Sequence, residues 1–188
     1  FDGTLPAEKK SGEFDDALIE AIKGLRATVD EAVENTQLNV ALAEIFKVIS
    51  AANKYIDETA PWILAKNEEE KPRLAMVLYN LLEAIRVTTT LLSAFMPTDM
   101  PKVWEQIGAT ENDVSYENAD KYGVLSQTVT VKKGDIIFPR IDVEKEIDEL
   151  NALIKEAAPK EEDTDKANLV PISETISIED FCKVDMRV

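Results

Sequence analysis

The sequence predicts an all-α fold, a helical bundle that is followed by a disordered acidic linker and a truncated β-strand at the C-terminus. Apolar residues recur at steps of three and four in several separate segments, which is the spacing of amphipathic helices. Hydrophobic residues make up 45% of the 188 residues, enough for one domain with a sizeable core. After residue 158 the composition becomes charged and poor in apolar residues, which predicts a boundary there.

The first two predicted helices should be antiparallel neighbours. One runs from Ser11 to Asn35 and the next begins at Leu38, so only a few residues connect them. Pro61 then ends the second helix or starts the first turn of another, which leaves Trp62 at a corner between helices. The apolar positions behind this prediction are Phe14, Ala17, Leu18, Ala21, Ile22, Leu25, Val29, Ala32 and Val33, then Leu38, Leu42, Ile45, Phe46, Ile49, Ala52 and Ile56.

A third helix is predicted from near Pro72 to just before Pro97, and its apolar stripe suits the core of a bundle. A short helical piece should follow within residues 97–108, and the polar residues 111–122 should form a loop. Residues 136–139 are an extended apolar segment that should lie across the bundle. The last helix should begin after a cap at Asp142 and continue to Ala157.

These elements predict three regions: a helical domain over residues 1–158, an acidic linker over 159–174, and the first strand of a second domain over 175–188. The linker buries too little apolar surface to fold alone. Over 175–188, apolar and polar residues alternate and the sequence then stops without a terminating turn. That pattern is expected of the opening strand of a truncated domain.

The composition excludes several kinds of chemistry. The chain has no histidine and one cysteine, which argues against catalytic triads, zinc sites and disulfides. The net charge of −16 repels phosphate backbones, so any contact with RNA must be local. The sequence opens at Phe1 with no signal-like segment and contains no continuous apolar run long enough to span a membrane. A cytoplasmic location with no membrane partner is therefore expected.

Trp62 is the first candidate site residue. An aromatic side chain beside Pro61, at a helix corner, is suited to stack on an unpaired base, and stacking needs no local excess of positive charge. Asn53 and Asp57 are four residues apart and so share the helical face that leads to this corner, where an amide and a carboxylate could read base edges. Taken from the residues alone, a half-buried tryptophan that closes the bundle is the commoner arrangement, and both readings stay open here.

Other conspicuous residues favour structural roles. Trp104 is expected to pack in the core, and Arg86, at the edge of an apolar stripe, is expected to reach solvent rather than phosphate. The acidic residues of the linker lack the spacing of a calcium loop, and the six glycines form no phosphate-binding loop. The sequence thus predicts no metal site.

The run from Asn53 to Trp62, followed by Ala65 and Lys66, resembles the anticodon-binding domain of methionyl-tRNA synthetase, a class I aminoacyl-tRNA synthetase. The residues from Ile178 onward resemble the start of the tRNA-binding OB-fold domain that many of these synthetases carry at the C-terminus. The first similarity extends over most of the chain, through Phe1–Pro6, Phe95–Pro97, Met100–Trp104 and Phe138–Asp142.

The resemblance implies that a helical bundle presents Trp62 to the anticodon loop of a methionine tRNA. Asp57 and Asn53, on the helix before that tryptophan, and Pro61 beside it would then take part in RNA binding and base selection. The family also uses an asparagine and an arginine on a preceding helix, which would lie before Phe1.

The resemblance further implies that the parent chain is an ATP-dependent methionine-tRNA ligase that uses magnesium. The family's His-Ile-Gly-His signature cannot occur in a chain without histidine, and no Lys-Met-Ser-Lys-Ser loop is present. We therefore expect these 188 residues to hold no cofactor and to be inactive alone. Because the OB-fold domain often mediates dimerisation in this family, we expect a parent homodimer and a monomeric fragment.

The sequence also allows two other interpretations. One is a helical protein-interaction bundle with no role in RNA binding, in which Trp62 is a core residue. The other is the domain of a class I synthetase for leucine, isoleucine or valine, against which the Pro61-Trp62 context argues.

Overall fold

The computed structural model describes residues 1–157, 177–181 and 183. The chain divides into two compact units, Phe1–Pro139 and Arg140–Val188. Within the described residues the α-helices are α1 (Asp15–Glu34), α2 (Leu38–Thr59), α3 (Pro61–Leu64), α4 (Lys71–Leu92), α5 (Met100–Gln106), α6 (Val143–Ala157) and α7 (Ile178–Phe181). The predicted helical fold is confirmed.

The main core forms where α1, α2 and α4 pack against one another. Residues 35–37 connect α1 to α2, and Thr36 adopts a left-handed conformation with φ 60° that reverses the chain. The Gln37 amide donates to the Ala32 carbonyl at 2.8 Å, which satisfies one of the free carbonyls at the end of α1. The buried apolar side chains of these three helices include Leu18, Ile22, Leu25, Val29, Ala41, Ile45, Val48, Tyr55, Val77, Ala84, Val87 and Leu91.

The most buried helix is α4, which packs against α1, α2, α3 and α5. The stretch Glu68–Leu92 has the length and the mean hydropathy, 1.2, of a membrane span, but 67% of its apolar window is buried inside the protein. It also carries fully buried polar residues, Asn80, Glu83 and Arg86. This helix is therefore the core helix of the bundle.

A second, smaller core lies where the N-terminal segment and the loop before residue 131 meet α4. Leu5, Tyr79, Leu125 and Val129 are its buried members. The Leu5 amide donates to the Val129 carbonyl at 3.0 Å, and the chain forms an isolated antiparallel bridge at Thr4. The N-terminal segment is thereby fixed to the bundle without a regular strand among the described residues.

The C-terminal prediction of a strand is wrong for residues 178–181, which form the helical turn α7. Ser177 and Asp180 close that turn: the Asp180 amide donates to Ser177 Oγ at 3.2 Å, and Ser177 Oγ donates to Asp180 Oδ2 at 2.8 Å. Such a reciprocal cap satisfies backbone groups locally, whereas a strand needs a neighbouring strand to satisfy them. The predicted linker, 159–174, and residues 175, 176, 182 and 184–188 of the predicted strand lie outside the described residues.

Two further expectations concern residues 136–142. Ile136 is 80% exposed and Phe138 is 64% exposed, so the prediction that this apolar segment packs across the bundle is wrong for these two side chains. Asp142 does cap the last helix, since its Oδ1 accepts a hydrogen bond from the Lys145 amide at 3.4 Å. The predicted domain limits, 1–158, 159–174 and 175–188, stay predictions.

Candidate nucleic-acid interface

The corner, which we define as residues 60–64, begins where α2 ends. Ala60 has φ 43° and ψ 61°, a left-handed conformation that turns the chain. Pro61 has no amide hydrogen, so the hydrogen-bond ladder of α2 cannot continue through it, but its fixed φ suits the first position of a new helix. The Ala65 amide donates to the Pro61 carbonyl at 2.9 Å, which completes the single turn of α3. The local sequence therefore makes a sharp bend between two helices.

The corner exposes its aromatic side chain. Trp62 is 54% exposed and the adjacent Ile63 is 60% exposed, whereas Leu64 packs against the main core. Two neighbouring large apolar side chains on the surface differ from the usual scattered exposure of single residues. The structure thus places Trp62 outside the main core, with more than half of its surface available to a ligand.

Asn53 and Asp57 lie one turn apart on the last turns of α2, and both are exposed. Between them on the helix, Tyr55 points to the opposite face and is only 2% exposed. The ion pair on this part of α2 joins Lys54 to Glu58 at 3.2 Å and does not include Asp57. The predicted amide and carboxylate therefore share one solvent face that leads to the corner, although no hydrogen bond among the described residues joins them to Trp62.

Behind this face, a buried polar network anchors the end of α2. The Tyr55 hydroxyl donates to Asp15 Oδ1 on α1 at 2.6 Å. Arg73, at the start of α4, donates to both Asp15 oxygens at 2.8 Å, and Asn80 donates to the Tyr55 hydroxyl at 2.9 Å. Tyr122 donates to the Asn80 side-chain carbonyl. Among the described residues, no buried side-chain nitrogen or oxygen atom lacks a hydrogen-bond partner, as buried polar groups require.

The electrostatics of the network follow from burial. Desolvation raises the pKa of Tyr55 far above its ordinary value, and the hydrogen bond to Asp15 adds to this effect. Burial likewise raises the pKa of Tyr122 to about 12, helped by the nearby carboxylates of Glu83 and Asp15. Desolvation acts to lower the pKa of Arg73, but hydrogen bonding to Asp15 and the charge interactions with Tyr55 and Asp15 together raise that pKa. At neutral pH the phenols are neutral donors and the guanidinium is charged.

Arg86 has a different place from the one expected. It is fully buried and pairs with the equally buried Glu83, with Nη2 to Oε2 at 2.7 Å, so it does not reach solvent. The expectation of a solvent-facing side chain is wrong because the loop after α5 folds over it and supplies backbone acceptors. Arg86 is therefore also unavailable to RNA phosphates.

Trp104 lies where the sequence predicts it. It is partly buried, packs against the main core, and its Nε1 donates to Thr89 Oγ1 at 3.0 Å. The two tryptophans of the chain thus have opposite environments, since Trp62 is absent from the residues that pack on the main core.

Four partly or fully buried polar residues were not predicted from the sequence: Asp15, Arg73, Asn80 and Glu83. Asp15 occupies the helical position three residues before Leu18, in line with the buried stripe of α1, and Asn80 and Glu83 interrupt an apolar helix. A polar residue inside an apolar stripe is the signal that could have found them. In the part of the chain that the structure describes, no three acidic or cysteine side chains are grouped to hold a metal ion.

Comparison with solved structures places the fold among the aminoacyl-tRNA synthetases. The crystal structure of the apo form of Mycobacterium tuberculosis methionyl-tRNA synthetase matches 75% of this chain with a TM-score of 0.69 and 26% identity, and the match covers 28% of that chain. The same enzyme in complex with methionyl-adenylate matches with a TM-score of 0.68. A sequence-family model, the anticodon binding domain of methionyl tRNA ligase, matches residues 5–155. The chain belongs to this family of anticodon-binding domains.

Curated relatives agree with this assignment. A methionine–tRNA ligase of Caldanaerobacter subterraneus subsp. tengcongensis is 45% identical over 188 residues, and one of Halalkalibacterium halodurans is 37% identical over 194 aligned residues. Both alignments cover 100% of this chain. The chain spans 28% of the length of each of these relatives.

Proposed function

We propose that this chain binds the anticodon loop of a methionine tRNA at the corner and supplies tRNA recognition to a methionine–tRNA ligase. The full-length protein would attach methionine to its tRNA with ATP and magnesium in the cytoplasm, and the groups for that chemistry would lie outside these residues. Membership of the anticodon-binding family and the similarity to methionine–tRNA ligases support the proposal.

The observation that carries the proposal is the exposure of Trp62, 54%, on a corner that has Ala60 and Pro61 as its fixed turn. An indole ring offers a large flat surface on which an unpaired base can stack. Stacking does not depend on a positive surface, and the chain carries a formal net charge of −16. A base-stacking site is thus compatible with an acidic protein, whereas a site based on phosphate contacts alone is not.

Asn53, Asp57 and Pro61 complete the proposed site. The exposed amide of Asn53 both donates and accepts hydrogen bonds, and the exposed carboxylate of Asp57 accepts them, so this face can pair with donors and acceptors on base edges. Pro61 would act by fixing the start of α3, which sets where Trp62 leaves the backbone. Stacking would supply affinity, and the polar pair would supply selectivity.

The experiment compares two tryptophan variants by thermal unfolding and by affinity for a methionine-anticodon stem-loop. Trp62→Ala should lose about 1 to 3 kcal/mol of RNA binding and keep its fold, because one stacking platform is removed. Trp104→Ala should instead lose roughly 3 to 5 kcal/mol of stability through lost packing. A control stem-loop with an altered anticodon measures selectivity in each protein.

The same experiment tests the alternative that the chain is a protein-interaction bundle. The adjacent exposure of Trp62 and Ile63 favours that alternative. If Trp62→Ala binds both stem-loops as the unchanged chain does, the RNA proposal is wrong and an apolar docking surface becomes the better interpretation.

A further inference from the structure

One carboxylate holds both segments of the chain that flank the corner. Tyr55 lies on α2 before the corner, and Arg73 lies on α4 after it, yet both donate hydrogen bonds to Asp15 on α1. Asp15 is 2% exposed, and the Arg73–Asp15 pair is bidentate, the geometry that fixes orientation best. The segment between Tyr55 and Arg73, which we call the loop, carries Trp62. Its two ends are joined through Asp15 on a third helix, α1.

Within the loop itself, few contacts fix the direction of Trp62. Trp62 and Ile63 are exposed, and Leu64 supplies the packing of α3 against the main core. The Thr59 hydroxyl donates to the Tyr55 carbonyl at 2.6 Å, which connects the anchored tyrosine to the residue just before Ala60. The ends of the loop therefore act together with the packing of α3 on α4 to set the orientation of the corner.

Gly12 shows how closely the network is fitted. Its amide donates to Asp15 Oδ2 at 3.0 Å. A Cβ atom at Gly12 would lie 2.7 Å from Nε and 2.9 Å from Cζ of Arg73, closer than real Cβ contacts allow. A side chain at this position would force the Arg73 guanidinium or the Gly12 backbone to shift, and both are hydrogen-bonded to Asp15.

We propose that Asp15, Tyr55 and Arg73 are positioning residues for RNA binding: by joining both ends of the loop, they set the orientation in which Trp62 meets the base. This inference rests on the proposed function of Trp62. None of the three is placed to touch the RNA, because Asp15 and Tyr55 are 2% exposed and the Arg73 side chain is 11% exposed. They restrict the motion of the corner in the RNA-free protein. Preorganisation of this kind strengthens binding.

The test uses the 188-residue chain with Trp104→Phe, so that Trp62 is the remaining fluorescent indole. Tyr55→Phe in this background removes one hydroxyl and keeps the packed ring. It should bind the methionine-anticodon stem-loop about threefold to tenfold more weakly, the equilibrium factor of one hydrogen bond. Without RNA, time-resolved fluorescence anisotropy should show greater local motion of Trp62.

Tyr79→Phe is the matched control. Tyr79 is also 2% exposed, and its hydroxyl donates to the Leu125 carbonyl at 2.7 Å and accepts from the Gln127 side chain in the smaller core, rather than bonding to Asp15, Tyr55 or Arg73. It should lose stability as Tyr55→Phe does but leave RNA affinity and Trp62 motion unchanged. Gly12→Ala, which acts through Arg73, should reproduce the effects of Tyr55→Phe and serves in its place if that variant does not fold.

The outcomes separate the two proposals. If Tyr55→Phe and Gly12→Ala fold but leave both the motion of Trp62 and RNA affinity at the level of Tyr79→Phe, the positioning role is overturned, whatever Trp62→Ala does. If Trp62 motion rises in both variants while Trp62→Ala binds RNA normally, the network orients the corner but the proposed function has failed, and positioning for RNA is overturned with it.

Discussion

Glu83 and Arg86, both with fully buried side chains, form a 2.7 Å salt bridge one turn apart on α4. Glu83 Oε1 also accepts a hydrogen bond from the Leu125 amide at 2.7 Å, so the pair fixes the loop that crosses α4. The remaining guanidinium hydrogens of Arg86 are donated to the backbone carbonyls of Asp113, Asn118 and Lys121.

Removal of one partner of this pair should be severe. Arg86→Met should lower the free energy of unfolding by about 3 to 5 kcal/mol, because it leaves the Glu83 carboxylate buried without a counter-charge. Urea unfolding measures the loss. The control is Lys102→Met, which breaks an exposed pair with Asp99 and should cost at most about 1 kcal/mol. If Arg86→Met and Lys102→Met lose the same free energy of unfolding, the Glu83 carboxylate does not stay buried without a counter-charge in Arg86→Met.

Ala60 should respond to glycine in the opposite way from an ordinary helical alanine. Its φ of 43° is unfavourable for a residue with a Cβ, so Ala60→Gly should raise stability by about 0.5 to 1 kcal/mol. Ala43→Gly, at an exposed position inside α2, should lower stability by a similar amount, since glycine weakens a helix interior by about 0.5 to 1 kcal/mol. Both values come from thermal or urea unfolding, and the same sign for both variants would contradict the strained corner.

The helices and the corner could be predicted because their causes are local. Apolar spacing marks α1, α2 and α4, and the proline at position 61 marks the bend before Trp62. The buried hydrogen bonds to Asp15 could not be predicted this way, because the donors Tyr55 and Arg73 lie far from Asp15 in the sequence and no residue spacing links them. The predicted strand illustrates the reverse case: alternation over 175–188 suggests a strand, but at residues 178–181 local side-chain caps favour a helical turn.

Alkaline pH should destabilise the fold through its buried phenols. Burial raises the pKa of Tyr55 and Tyr79 well above the ordinary tyrosine value, and raises that of Tyr122 to about 12. The unfolded chain therefore ionises these groups first, near pH 10, while the folded chain keeps its protons. Their stabilising contribution is fully present below about pH 10 and falls as pH rises, by roughly 1.4 kcal/mol per pH unit for each phenol.

Urea unfolding at intervals from pH 8 to pH 11 tests this dependence. Tyr55→Phe should be less stable than the unchanged chain at pH 8, but its stability should decline less steeply above about pH 10 because one phenol no longer titrates. A slope that is the same in both proteins would show that Tyr55 does not keep its proton in the folded state.

The two polar residues of the proposed site should affect selectivity more than stability. Asn53→Ala removes an exposed amide and should weaken binding of the methionine-anticodon stem-loop by about 0.5 to 1.5 kcal/mol, the net contribution of one hydrogen bond. Binding of an altered-anticodon loop should change less, so the ratio of the two affinities should fall. The thermal midpoint should stay near that of the unchanged chain, because the side chain contributes nothing to the core.

Asp57→Asn separates base reading from simple repulsion. Loss of one negative charge should improve binding of both stem-loops equally if Asp57 only repels phosphates. If its carboxylate accepts a hydrogen bond from a base, the variant should bind the methionine loop relatively less well, and selectivity should fall. Glu58→Gln is the matched control, since Glu58 is the adjacent acidic residue on α2 but is held by Lys54 at 3.2 Å. Identical affinities for Asp57→Asn and Glu58→Gln, with unchanged selectivity in both, would mean that Asp57 contributes charge alone, and the recognition face would then consist of Asn53 and Trp62.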